Sequence, residues 1–120
     1  MPRRLVVKVT CGVEDAERCS QGFTVAAAAV AAGAEVSLWL TGEAAWFGVP
    51  GRAEVFDLPL AAPLADLRAA VLANGQVTVC TQCAKRRGIV EADLVPGVRI
   101  AGAAAFVEEV LGDDVQALVY

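Results

Sequence analysis

The chain has 120 residues, 57% of them apolar, and a formal net charge of −4. That length makes one domain, residues 1–120, with a core large enough to dispense with disulfides or a structural metal. The negative balance excludes a nucleic-acid binder driven by phosphate neutralisation, because the basic clusters Arg3-Arg4 and Lys85-Arg86-Arg87 are too short to reverse it.

Met1-Pro2-Arg3-Arg4 followed by Leu5-Val6-Val7 has the basic-then-apolar order of a secretory leader. Lys8 interrupts the run and no small-residue cleavage site follows, so Leu5 to Thr10 reads as a first strand covered on both faces. Cys11-Gly12 is a loop. Glu14-Asp15 then opens a helix that runs to about Ala32 and stops at Gly33 in the left-handed conformation. Its alanine-rich part, Val25 to Ala34, falls well short of the roughly 20 residues a membrane span needs. Glu35 to Leu40 is a second strand, and Thr41 to Gly51 is a loop holding Glu43, Trp46 and Phe47. Leu64 to Leu72 has helical period and ends at Asn74-Gly75. The third strand, Gln76 to Val79, delivers Cys80 into a short helix. Val98 to Ala101 is a fourth strand, Ala103 to Leu111 a helix, and Val115 to Tyr120 a fifth strand.

Strands alternating with helices at this spacing predict an α/β fold with an open, mainly parallel sheet and right-handed crossovers. Reactive groups in such sheets collect beyond the carboxyl ends of the strands, where strand order reverses. A strand order of 2-1-3-4-5 makes the loops after strands one and three neighbours. Cys11 is then expected across the crevice from Cys80, with the loop carrying Glu43 and Trp46 as a wall or lid.

Histidine is absent, which removes Ser-His and Cys-His nucleophile pairs, imidazole bases and histidine-ligated zinc. Chemistry must therefore run on thiols, carboxylates and backbone dipoles. With no membrane span and no leader, the chain reads as cytoplasmic, where Cys11, Cys19, Cys80 and Cys83 are reactive, ligating or packed rather than a disulfide framework. Cys80 stands where a strand becomes a helix N-terminus, and the unpaired N–H groups there favour a thiolate. It is a candidate nucleophile, with an inert half-buried cysteine as the alternative. Cys80-x-x-Cys83 has the spacing of a redox pair but not the surrounding pattern of a thioredoxin. Cys11-x7-Cys19 is poorly spaced for a metal, and Cys19 falls inside a helix, where packing explains it. Cys11-Gly12 has neither a GxGxxG pattern nor a Walker lysine, so no nucleotide is expected there. Lys85-Arg86-Arg87-Gly88 reads either as a helix C-terminus or as a positive field beside the thiolate. Trp39 reads as core, and Trp46-Phe47 as packing, a pocket wall or an interface.

These residues together resemble the DsrE/TusD sulfur-relay family over nearly the whole chain. The resemblance lies in the opening strand with Thr10 and Gly12, in Glu14-Asp15, in Ala-Ala-Gly33-Ala-Glu-Val36 leading into the second strand, and above all in Val79-Cys80-x5-Arg86-Arg87-Gly88. It implies a flavodoxin-like three-layer sandwich, oligomeric assembly, and a cysteine, mapped onto Cys80, that accepts sulfane sulfur as a persulfide and hands it to a partner thiol. Gly12, Glu43, Trp46, Arg86 and Arg87 fall at the periphery of such a site. Cys83 and Cys11 are additional thiols, able to resolve a persulfide or sulfenate into a disulfide. The leading expectation is a sulfur-relay homo-oligomer with protein donors and acceptors of sulfur, without cofactor, metal, nucleic acid or membrane. The alternatives are a thiol-redox or peroxide-sensing protein using Cys80 with Cys83 or Cys11, and a non-catalytic oligomeric binding module.

Overall fold

The computed structural model describes residues 3–120; Met1 and Pro2, the start of the leader-like stretch, lie outside the described residues. Five strands form one sheet in which every neighbouring pair is parallel: β1 (Arg4–Val9), β2 (Glu35–Leu40), β3 (Gln76–Cys80), β4 (Arg99–Ala101) and β5 (Val115–Val119). The connecting helices are α1 (Ala16–Ala31), α2 (Leu64–Asn74), α3 (Thr81–Arg86) and α4 (Ala103–Val110). The Gly33 terminator behaves as expected. At φ +92 it closes α1 by donating its N–H to the Val30 carbonyl while Ala34 donates to that of Ala29, which satisfies two carbonyls the helix leaves open.

Alternation along the strands sorts side chains into two layers. Val7, Val9, Leu38, Leu40, Val77 and Val79 point to one face and join Cys19, Phe23 and Ala26 of α1 with Leu64 and Val71 of α2 in the main core. Val6, Lys8, Ser37, Trp39 and Thr78 point to the opposite face, which α4 covers. There Phe106 meets Trp39 edge to face with ring centroids 5.4 Å apart. The Glu109 carboxylate accepts hydrogen bonds from the Ser37 hydroxyl at 2.6 Å, the Trp39 indole N–H at 3.1 Å and the Arg99 guanidinium at 2.6 Å. One face thus closes by apolar burial and the other largely through a polar clamp on a single carboxylate. The result is the three-layer α/β sandwich that the family resemblance implies.

The strand order is β4-β3-β2-β1-β5. This corrects the expected 2-1-3-4-5: the sheet grows one way through four strands and reverses only after β4, so β2 stands between β1 and β3. The reason is burial. β2 hides Leu38 and Leu40 on one face and Trp39 on the other, all at most 1% exposed. An edge strand could not cover both faces, whereas β5, largely exposed, and β4, three residues long, suit the edges.

Candidate thiol site

Cys80 ends β3 in extended conformation (φ −63, ψ 131), and the chain turns directly into α3. Register aligns Lys8 with Trp39 and Trp39 with Thr78, so Cys80, two residues beyond Thr78, shares the α4-side face with Lys8. It is half-buried. Burial pushes its thiol up, but the backbone N–H groups of Cys83 and Gln82, the Cys83 side chain and the Lys8 ammonium together outweigh that and hold it below the ordinary thiol value. The first-turn N–H groups act as nearby dipoles, since no capping hydrogen bond to the sulfur is completed.

Lys8, which in the sequence is only an interruption of an apolar run, is a site residue in the fold. Its ammonium lies 4.8 Å from the Phe106 ring centroid. Among the described residues it has no carboxylate within ion-pair distance, Glu109 being engaged by Arg99. A signal for it exists in the chain: a lone cation at an inward position of a buried strand is costly unless it neutralises or attracts something nearby.

Cys83 follows Cys80 by three residues on the first turn of α3. Its sulfur accepts the Gly42 N–H at 3.2 Å. Arg87 donates from one nitrogen to the Cys83 carbonyl at 3.1 Å and from Nε to the Glu43 carboxylate at 2.8 Å, which ties α3 to the segment after β2. A Cβ on Gly12 would stand 3.0 Å from Glu43. Gly12, Gly42, Glu43, Cys83 and Arg87 are thus brought together, with the 41–43 segment at their centre because β2 lies between β1 and β3. Arg86 is not among them. It is exposed and forms no ion pair among the described residues. Gly88 and Ile89 end α3 by donating to the Lys85 and Ala84 carbonyls, so much of the Arg-Arg-Gly stretch is a helix terminus.

Cys11 stands elsewhere. The intervening β2 sets the ends of β1 and β3 two strand spacings, about 10 Å, apart, which corrects the expected pairing of their loops. Cys11 is buried in the main core, where its thiol is raised by burial and by Asp15 and Glu14. The fully buried Cys19 is pushed up to about 12 by burial and by Cys11. Cys11 is thus a neighbour of Cys19, in surroundings that oppose ionisation of both. A thiol whose folded value is raised loses stability as pH climbs past its unfolded value. Alkaline denaturation should accordingly steepen above about pH 8.5, and Cys19→Ala should flatten that limb when urea midpoints are followed against pH.

The loop expected as a wall or lid forms a short helical wall. Residues Gly42–Gly48 form a 3-10 helix with Phe47 buried against Phe23 and Phe56. Trp46 is half-buried under the Arg52 guanidinium, 4.1 Å from its ring centroid. Arg68 of α2, a buried cation that no sequence motif marks, donates to the Phe47 carbonyl at 2.9 Å and to the Glu54 carboxylate at 3.2 Å. Arg68→Met should lower unfolding stability in urea by about 1–3 kcal/mol, because a buried carbonyl loses its donor. A change within error would show that solvent replaces that bond.

A cleft of about 770 Å³ opens at the amino ends of the strands, lined by Arg4, Glu35, Ser37, Gln76, Arg99 and Glu109 among others. It lies at the opposite end of the sheet from Cys80, and its charges are already paired with one another, Arg4 with Glu35 and Arg99 with Glu109. Among the described residues no three His, Cys, Asp or Glu side chains converge as a metal site requires, and no helix is long and apolar enough to cross a membrane.

Comparison with known proteins agrees with this architecture. No curated protein sequence matches the chain significantly. A crystal structure of the YchN protein from E. coli superposes with a TM-score of 0.79 at 19% identity, covering 100% of both chains. A protein of unknown function, MTH1491 from Methanobacterium thermoautotrophicum, gives 0.75 at 9% identity, covering 98% of this chain and 99% of that one. At such identities the likeness establishes the fold. The family model of the DsrE/DsrF-like family matches residues 3–115, and with that span the chain belongs to the DsrE/DsrF-like family.

Proposed function

We propose that this protein is a cytoplasmic sulfur-relay component that carries sulfane sulfur as a persulfide on Cys80. The observation that supports this most directly is the half-exposed thiol at the carboxyl end of β3, held below the ordinary thiol value within a DsrE-type fold. Persulfide transfer requires a thiolate to attack the outer sulfur of a donor persulfide. The donor's thiolate leaves, and Cys80–S–SH then offers its outer sulfur to an acceptor thiolate. Neither step needs histidine or a metal. The four free cysteines fit a reducing compartment. The test is to load the reduced protein with a sulfane-sulfur donor and map the added sulfur by mass. One atom on Cys80, absent from Cys80→Ser, is the expected result, and equal loading of that variant refutes the assignment.

Assembly into a homo-oligomer belongs to the same reading. Val107 and Leu111, one turn apart on and just beyond α4, are 47% and 77% exposed, and Leu118 and Val119 on the edge strand β5 are 41% and 64% exposed. Unpaired strand edges and clustered apolar side chains favour association. Phe47, buried, is not available for such a contact. Light scattering at micromolar concentration should give a mass well above the 12.4 kDa chain, falling toward it in Leu111→Glu. A monomeric mass for the wild type removes this part of the proposal.

A further inference from the structure

Cys83 plays no part in a one-thiol relay, yet it is the second half-exposed thiol of the chain and the one placed beside the first. Cys11 and Cys19 are buried in the core under α1, whereas Cys80 and Cys83 occupy the start of α3 at the rim of the sheet. Cys80 caps the start of α3 and Cys83 lies on its first turn, near enough that the Cys83 side chain helps lower the Cys80 thiol. The Gly42 N–H donates to the Cys83 sulfur and helps fix where it sits. The Arg87 bonds to the Cys83 carbonyl and to Glu43 hold this turn against the 41–43 segment.

We propose that Cys83 discharges the sulfur held on Cys80 as hydrosulfide. The inference rests on Cys80 being a persulfide carrier. The Cys83 thiolate attacks the inner sulfur of Cys80–S–SH. A bond forms between the Cys83 and Cys80 sulfurs, the bond from the Cys80 sulfur to the outer sulfur breaks, and its electron pair leaves with the outer sulfur as HS⁻. The two cysteine sulfurs end as a disulfide, the sulfane sulfur is reduced to sulfide, and the proton lost when Cys83 ionises goes to water. Attack at the inner sulfur is the step that closes the Cys80–Cys83 disulfide, with the outer sulfur as the leaving group. A low-molecular-weight or protein dithiol is the reductant that returns the pair to thiols. The acceptor protein and Cys83 then compete for the same persulfide. Sulfur that finds an acceptor is relayed, and sulfur that does not is released as sulfide rather than retained.

The full chain, reduced and then loaded with inorganic polysulfide and desalted, tests this by intact mass, peptide mapping and sulfide release. In the wild type the species with one added sulfur should give way to one lacking two hydrogens, with one equivalent of sulfide, at a rate independent of protein concentration. In Cys83→Ser and Cys83→Ala the sulfur should stay on Cys80 at least about tenfold longer, with little sulfide released. Equal lifetimes in wild type and variants, or added sulfur appearing on Cys83, would overturn the discharge while leaving the carrier role intact. Failure of the wild type and both Cys83 variants alike to gain sulfur at Cys80 would instead overturn the carrier role, and the discharge with it.

Discussion

At pH 7.5, limiting iodoacetamide should label Cys80 in the native protein at least about a hundred times faster than Cys19. Alkylation proceeds through the thiolate. With its thiol pushed up to about 12, Cys19 is ionised at that pH only on the order of 3 × 10⁻⁵ of the time. Cys80, held below the ordinary thiol value, is ionised to at least a few per cent. The gap is at least about a thousandfold, and the lower nucleophilicity of the more acidic thiolate returns roughly half of it on a logarithmic scale. Burial restores the contrast, because Cys19 is 0% exposed and reacts only when α1 opens. Comparable labelling of the two thiols would remove the basis for a reactive Cys80. Lys8→Met, which keeps most of the stem against Phe106, should move the inflection of the Cys80 pH–rate profile upward and slow labelling severalfold near neutrality. An unchanged profile would assign the lowering to the first turn of α3 alone.

Gly42→Ala should cost about 3 kcal/mol of unfolding stability, among the largest effects of adding a single methyl group to this chain. Gly42 has φ +55, and a Cβ there would stand 2.5 Å from the Thr10 carbonyl oxygen. Both partners are backbone, so relief requires the 42–48 segment to move off the end of β1. Gly33→Ala is the matched control. It also has positive φ, but nothing lies within 4 Å of its Cβ position, and only the left-handed penalty of about 1 kcal/mol applies. Urea denaturation of the two variants separates conformation from overlap, and equal losses would show that the loop gives way freely.

Most of the candidate site is legible in the amino-acid sequence. Cys80 at a strand-to-helix junction is a local fact, since a buried β-branched run followed by helix formers defines the junction and its N–H groups set the thiolate bias. Cys83 as its neighbour follows from i, i+3 spacing on one turn. Arg87 is legible only as a basic residue near a helix end, its bond to Glu43 depending on which segment β2 delivers to that place. Lys8 is visible only as an anomaly, because its proximity to Cys80 crosses two strand pairings. Arg68 is silent for the same reason, its partners belonging to a loop that packs on α2 only in the finished fold.

Local signals along the chain settle the elements and their order: periodicity, the Gly33 and Gly88 terminators and β-branched runs each act within a few residues, and the observed boundaries fall within a few residues of those readings. Tertiary structure alone decided that β2 lies between β1 and β3, and therefore that Cys83 and Arg87 meet Gly42 and Glu43 while Cys11 keeps company with Cys19. Helix and turn signals are short-range, whereas a strand's place in a sheet is chosen by how much of each face it must bury against partners far away in the chain. For β2, with Leu38 and Leu40 on one face and Trp39 on the other, that requirement is met only in the interior of the sheet.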